Sequence, residues 1–147
     1  TVSAATEGAI LGVPSIAISI DTFRDPDFEP AASFARLLAN QVNKYGLPPH
    51  TSLNVNVPAI PESEIKGVRV TRQGVTRFVE SFDRRVDPRE NVYYWQCGST
   101  PPSEEDDDTD ACALARDYIS ITPIQHDLTN YDFLRSLRSW AFTDALE

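Results

Sequence analysis

The spacing of apolar residues changes along the chain, and each change marks an element. Residues 2–11 (Val-Ser-Ala-Ala-Thr-Glu-Gly-Ala-Ile-Leu) are alanine-rich, with Thr1 placed as an N-cap and Gly12 placed as a stop, which predicts a helix. After Pro14 comes the Ile-rich run Ser15-Ile16-Ala17-Ile18-Ser19-Ile20-Asp21. Such a short apolar run predicts a strand buried on both faces of a parallel sheet. A helix followed at once by this strand is half of a βαβ unit. Residues 30–45 carry Phe34, Leu37, Leu38, Val42 and Tyr45 on one helical face, with Pro30 near the start, Lys44 in the last turn and Gly46 just past the end. Leu47-Pro48-Pro49-His50 reads as a linker, and Ser52–Val57 as a strand that Pro58 ends.

From residue 67 the period shortens. Gly67-Val68-Arg69-Val70-Thr71-Arg72 alternates apolar with polar, as a half-exposed strand should. Residues 75–82 and 92–96 predict antiparallel strands around the turn Asp87-Pro88-Arg89-Glu90-Asn91. Residues 98–110 form a polar acidic loop, 111–117 a short helix, and 118–123 a further strand. A last helix follows, with Thr129 and Asp132 as its capping box and Phe133, Leu134, Leu137, Trp140 and Ala141 on one stripe. The chain therefore reads as one α/β domain without internal repeats. Residues 1–58 and 111–147 form its α/β layer, and 66–97 form a β-rich extension.

Composition narrows the partners. With 22 acidic against 13 basic residues the net charge is −9, which opposes binding to nucleic acid or anionic membrane. A small phosphate ligand remains compatible, since a few N–H groups hold one locally. No apolar stretch approaches the ~20 residues of a membrane helix. Cys97 and Cys112 fit neither a CxxC pair nor a zinc knuckle and read as reduced thiols of a cytoplasmic protein.

Several constellations invite chemistry and are set aside. Asp106, Asp108 and Asp110 have the spacing of a calcium loop, but Ala111 stands where the turn needs Gly, so the segment reads as a solvated acidic loop. His50 and His126 have no partner at i+4 and read as surface residues. Asp21 ends a parallel strand, on the side where open α/β sheets bind ligands, which makes it a candidate cleft residue; capping or turn formation is the preferred reading. Arg69, Arg72, Arg77, Arg84 and Arg85 interleave with Phe78 and Phe82, yet the surrounding acidity opposes nucleic acid. There is no Gly-x-Ser-x-Gly elbow and no Walker loop.

Taken in order, several stretches resemble the SurE family of stationary-phase survival proteins with 5′- and 3′-nucleotidase activity. They are Thr1-Val2-Ser3-Ala4-Ala5-x-Glu7-Gly8-Ala9, Gly12-Val13-Pro14-Ser15-Ile16-Ala17, Leu53-Asn54-Val55-Asn56-Val57-Pro58, Val70-Thr71-Arg72-Gln73-Gly74, Tyr93-Tyr94-Trp95, Thr109-Asp110 and Tyr118-Ile119-Ser120-Ile121-Thr122-Pro123. Thr6, where Met is common, and the acidic insert 103–108 depart from the pattern.

The resemblance implies a three-layer, Rossmann-like α/β fold. It also implies hydrolysis of nucleoside monophosphates with a divalent metal, magnesium or manganese. The family's metal ligands are an Asp-Asp pair, a Ser and an Asn that would all precede residue 1, so no catalytic or metal-ligating residue is assigned here. The chain opens in mid-motif without Met, which reads as the C-terminal portion of a longer protein that supplies the first strands. Thr1 is the last residue of the family's Ser-Gly turn, and is the one candidate for substrate binding; capping its own helix explains it as well. Residues 66–97 match a hairpin used in subunit exchange, implying a homodimer or homotetramer. A rival reading makes the chain a non-catalytic assembly fragment.

Overall fold

A computed structural model of the chain describes residues 1–22, 24, 27–75, 79–99, 107–140 and 142. Helix α1 (Val2–Ile10) starts at Thr1, whose side chain makes no capping bond to the helix. It ends in a Schellman motif: Gly12, at φ 79°, donates to the Ala9 carbonyl at 3.1 Å, and Val13 donates to Gly8 at 2.9 Å. The chain then doubles back as β1 (Ser15–Ile20). Helix α2 (Glu29–Tyr45) opens with an acidic residue and Pro30 and closes on Gly46 at φ 73°. Strand β2 (Thr51–Val57), a 3-10 turn (Glu62–Glu64) and β3 (Val68–Val70) follow.

The main sheet has the order β1-β2-β6-β3, where β6 spans Ile119–Gln125. Strands β1 and β2 are parallel, β6 runs antiparallel to β2, and β3 is parallel to β6. The sheet is thus mixed. Strand β1 stands at its edge and only Ala17 in it is fully buried, in contrast to the two-sided burial that its Ile-rich sequence predicts.

Register sorts the residues onto two unlike faces. Ile16, Ile18 and Ile20 lie beside Leu53, Val55 and Val57, and together with Ile119 and Ile121 they meet Ala31, Phe34 and Leu38 of α2. Val55 and Val57, 0% and 1% exposed, are the centre of this core. The opposite face carries Ala17, Ser52, Asn56, Ser120 and Thr122, and is covered by α1 and by α3 (Asp110–Ala115) through Ala5, Ala9 and Ala113. Small residues let these helices sit close: a Cβ built on Gly8 would lie 2.2 Å from Ser15 Oγ. The polar groups there satisfy one another. Asn56 Nδ2 donates to Ser120 Oγ at 3.2 Å, and Thr71 and Thr122 share a hydrogen bond. The layers are α2, the sheet, and α1 with α3.

Strands β4 (Val79–Val86) and β5 (Val92–Ser99) form a separate two-stranded sheet. They end later than the predicted 75–82 and 92–96, β4 reaching Val86 and β5 reaching Ser99, while Val75 is not in the strand and 76–78 lie outside the described residues; the turn between the strands is locked. Asp87 Oδ1 accepts from the N–H groups of Arg89 and Asn91, each at 2.8 Å, and Glu90 adopts φ 64°, so pairing runs back continuously from Val86–Val92 to Val79–Ser99.

Two helix ends differ from the sequence expectation. Helix α3 begins at Asp110 because buried Thr109 caps it, accepting from Cys112 N at 3.3 Å. Helix α4 (Tyr131–Leu137) is capped by Asn130, which accepts from Phe133 N at 2.9 Å, while Thr129 donates its own N–H to Asp127. The Thr129–Asp132 capping box therefore does not form. Trp140 lies beyond the helix and turns back edge-on to Phe133, with ring centroids 5.8 Å apart; Ala141 is outside the described residues. Among the described residues no helix is long and apolar enough to cross a membrane.

Candidate functional site

Strands β1 and β2 end side by side, and the Asp21 N–H closes the ladder on the Val57 carbonyl at 3.0 Å. At the carboxyl ends of parallel strands the connections depart to either face and leave a crevice. Here α1 enters β1 from one face of the sheet and α2 leaves on the other. Because α1 runs antiparallel to β1, its first turn lies at this same end of the sheet. A helix start presents unpaired N–H groups and a partial positive charge, which together favour an anion. Thr1 is exposed there with its hydroxyl not bonded to the helix.

On the α2 side the crevice widens into a cleft of about 370 Å³. Ile20, Val57, Pro30 and Pro58 supply apolar walls, and Thr22, Arg24 and Asp27 supply polar groups. Thr22 Oγ1 binds the Arg24 backbone twice, donating to its carbonyl at 3.0 Å and accepting from its N–H at 3.1 Å. Asp27 Oδ1 accepts from Glu29 N at 2.9 Å, which fixes the start of α2. The Arg24 guanidinium has no ion pair among the described residues.

On the opposite face Asn56, Gln73, Gly74 and Asp110 border a smaller cavity of about 250 Å³. Asp110 Oδ1 accepts from Gly74 N at 2.9 Å and from Ala111 N at 2.8 Å, so this carboxylate ties the turn after β3 to the start of α3.

The sequence candidates scatter over this frame. Thr1 and Asp21 are at the crevice end, but Asp21 is exposed and is not among the residues lining the cleft. His50 and His126 lie at the far end of the sheet, where the His126 N–H donates to the His50 carbonyl at 3.3 Å. Asp108 accepts from Arg72 Nε at 2.9 Å, and Asp110 is engaged as described; Asp106 lies outside the described residues. Arg69 sits over the Tyr118 ring at 4.1 Å and Arg85 over Trp95 at 5.2 Å, while Arg77 and Phe78 are outside the described residues. Arg24 and Asp27 escaped the sequence reading, although they closely follow the strand end that drew attention to Asp21.

Among the described residues no three His, Cys, Asp or Glu side chains converge into a group fit to hold a metal ion. The implied magnesium or manganese therefore does not fit these residues, and no step is routed through it.

The family model for Survival protein SurE matches residues 1–80. The chain is 58% identical over 140 residues to the 5′-nucleotidase SurE of Syntrophus aciditrophicus, covering 95% of this chain and 53% of that protein. It is 54% identical over 140 residues to the 5′-nucleotidase SurE of Syntrophobacter fumaroxidans, covering 95% and 56%. The crystal structure of SurE from Aquifex aeolicus superposes with a TM-score of 0.79 at 38% identity, covering 94% of this chain and 56% of that one. The chain spans about half the length of the curated relatives it matches. With the family model matched over more than half of its residues and the fold superposing on a solved member, the chain belongs to the SurE family.

Proposed function

We propose that this chain is the substrate-side portion of a SurE-type nucleotidase, a hydrolase of the phosphomonoester bond in nucleoside 5′- and 3′-monophosphates. The observation that carries the reading is the crevice where β1 and β2 end beside the start of α1. The Thr1 hydroxyl and the first N–H groups of α1 hold the phosphate, and the positive end of the helix dipole offsets its charge. Donors fixed in advance cost little reorganisation when charge builds on the transferring group. Magnesium or manganese belongs to the same reading, held by residues other than those described. The setting is the cytoplasm.

The same reading makes the chain one domain, with 1–58 and 111–147 as its α/β layer and 66–97 as an assembly extension in a homodimer or homotetramer. The rival, a non-catalytic assembly fragment, draws on the arm: β4 is exposed at every residue and, among the described residues, pairs with β5 alone. One experiment separates them. A full-length protein carrying this chain, supplied with magnesium or manganese, should release phosphate from nucleoside monophosphates, whereas the isolated 147 residues should not. Turnover well above blank by the isolated chain overturns the placement of the catalytic groups. No turnover by the full-length protein favours the assembly fragment.

A further inference from the structure

The cleft on the α2 side is lined by groups that the phosphate does not need. Its walls are Ile20 and Val57 together with the apolar pyrrolidine rings of Pro30, Pro58 and Pro61, which suit contact with an apolar ring face. Its volume, about 370 Å³, falls in the usual range for small-molecule sites. The lining of this cleft also includes two side chains of opposite charge, Arg24 and Asp27, from between β1 and α2. Arg24 offers only donors, in a rigid planar fork, and has no ion pair among the described residues. Asp27 offers only acceptors; its Oδ1 is taken by Glu29 N, which holds the carboxylate in place and leaves Oδ2.

We propose that this cleft is the nucleobase subsite, and that Arg24 and Asp27 make it selective for 6-oxopurines, guanine above all. The proposal rests on the nucleotidase reading and names the part of the substrate that reading leaves open. A donor-only fork must face two acceptors, and guanine supplies them as O6 and N7, the pair that arginine matches bidentately. Adenine presents an amino group at that edge, which Arg24 cannot satisfy. Guanine also carries N–H groups, N1–H and the 2-amino group, on the adjoining Watson–Crick edge for the acceptor-only Asp27. The sheet edge then separates two tasks: the phosphate lies at the α1 start on one side, and the base lies against prolines on the other.

The test uses a full-length protein carrying this chain, in unaltered form and as Arg24→Ala and Arg24→Lys, with thermal unfolding as a folding control. The readout is the ratio of kcat/KM for GMP over that for p-nitrophenyl phosphate, which has no nucleobase. Both substitutions should lower that ratio by roughly 10- to 100-fold, the discrimination of a bidentate arginine–base pair, and should narrow the gap between GMP and AMP. Lysine keeps the charge but loses the fork, so recovery of the ratio by Arg24→Lys overturns the base contact. Equal losses on both substrates, or no change in the ratio, also overturn it. Guanosine binding, followed by calorimetry without any phosphate present, separates the two levels. Guanosine bound by the unaltered protein but not by Arg24→Ala supports the subsite even where no hydrolysis is found, a result that would remove the nucleotidase reading alone. No guanosine binding by the unaltered protein removes the subsite.

Discussion

The hydroxyls of Thr71 and Thr122 meet at 2.8 Å on the polar face of the sheet, where the two residues are only 6% and 2% exposed. They stand just past the Val70–Ile121 pair, and the bond extends the attachment of β3 to β6. Replacing either residue by Val leaves the other hydroxyl buried without a partner, which costs about 1–3 kcal/mol. Replacing both removes the unpaired group. Denaturant unfolding should therefore show each single variant destabilised and the Thr71→Val, Thr122→Val double variant more stable than additivity requires. Additive losses would mean that the hydroxyls do not depend on one another.

Asp127 titrates low for a local reason. The Tyr131 hydroxyl donates to it first, Thr129 adds donors, and its carboxyl falls from the ordinary 3.8 to about 2. A folded pKa below the unfolded one gives stability that is complete above pH ~4 and is lost as pH falls towards ~2. Acid in that window should loosen the start of α4. A carboxyl NMR titration should place Asp127 near 2 in the unaltered chain and closer to 3.8 in Tyr131→Phe.

Phe82, Tyr94 and Trp95 are 59%, 65% and 55% exposed on an arm whose strands, among the described residues, pair only with each other. The register puts Phe82 and Tyr94 on one face of the arm and Trp95, with Arg85 lying over it, on the other; exposed aromatics on both faces suit an arm that inserts into an interface. Replacing residues 79–99 by a short turn in the full-length protein should reduce its mass in light scattering while the α/β layer stays folded. An unchanged oligomer would show that the arm is not the assembly element.

Thr1 occupies the N-cap position of α1 without capping it through its side chain. A working N-cap loses about 0.5–2 kcal/mol on replacement; Thr1→Val in the full-length protein should lose less than that. Inhibition by inorganic phosphate should nonetheless weaken severalfold, because valine has no hydroxyl to offer the anion. A stability loss with unchanged phosphate inhibition would make Thr1 a structural cap only.

Local chemistry made much of this protein legible from its residues. Gly12 and Gly46 mark helix ends because a positive φ is tolerated there, and the isoleucine run of β1 and the Asp87–Asn91 turn carry their conformations in their own side chains. Helix ends were harder: Asn130 rather than Thr129 caps α4, since Thr129 is drawn into a turn by Asp127. The same period that placed Leu37 and Tyr45 on one helical face with Phe34 and Leu38 leaves them exposed, because the core that meets the sheet takes in Ala31, Phe34 and Leu38 of this helix.

Tertiary structure alone decided the rest. That β6 enters between β2 and β3, antiparallel to the first and parallel to the second, depends on pairings more than fifty residues apart, which no local pattern encodes. The cleft arises only when the loop after β1 meets Pro58 to Pro61 after β2. Arg24 and Asp27 sit in a segment without periodicity, so their alignment with an apolar floor becomes visible only once the parallel pairing of Ile20 with Val57 brings both strand ends to one edge. Helices, strands and turns follow from forces acting over a few residues, whereas a site is made by contacts between residues that the chain holds far apart.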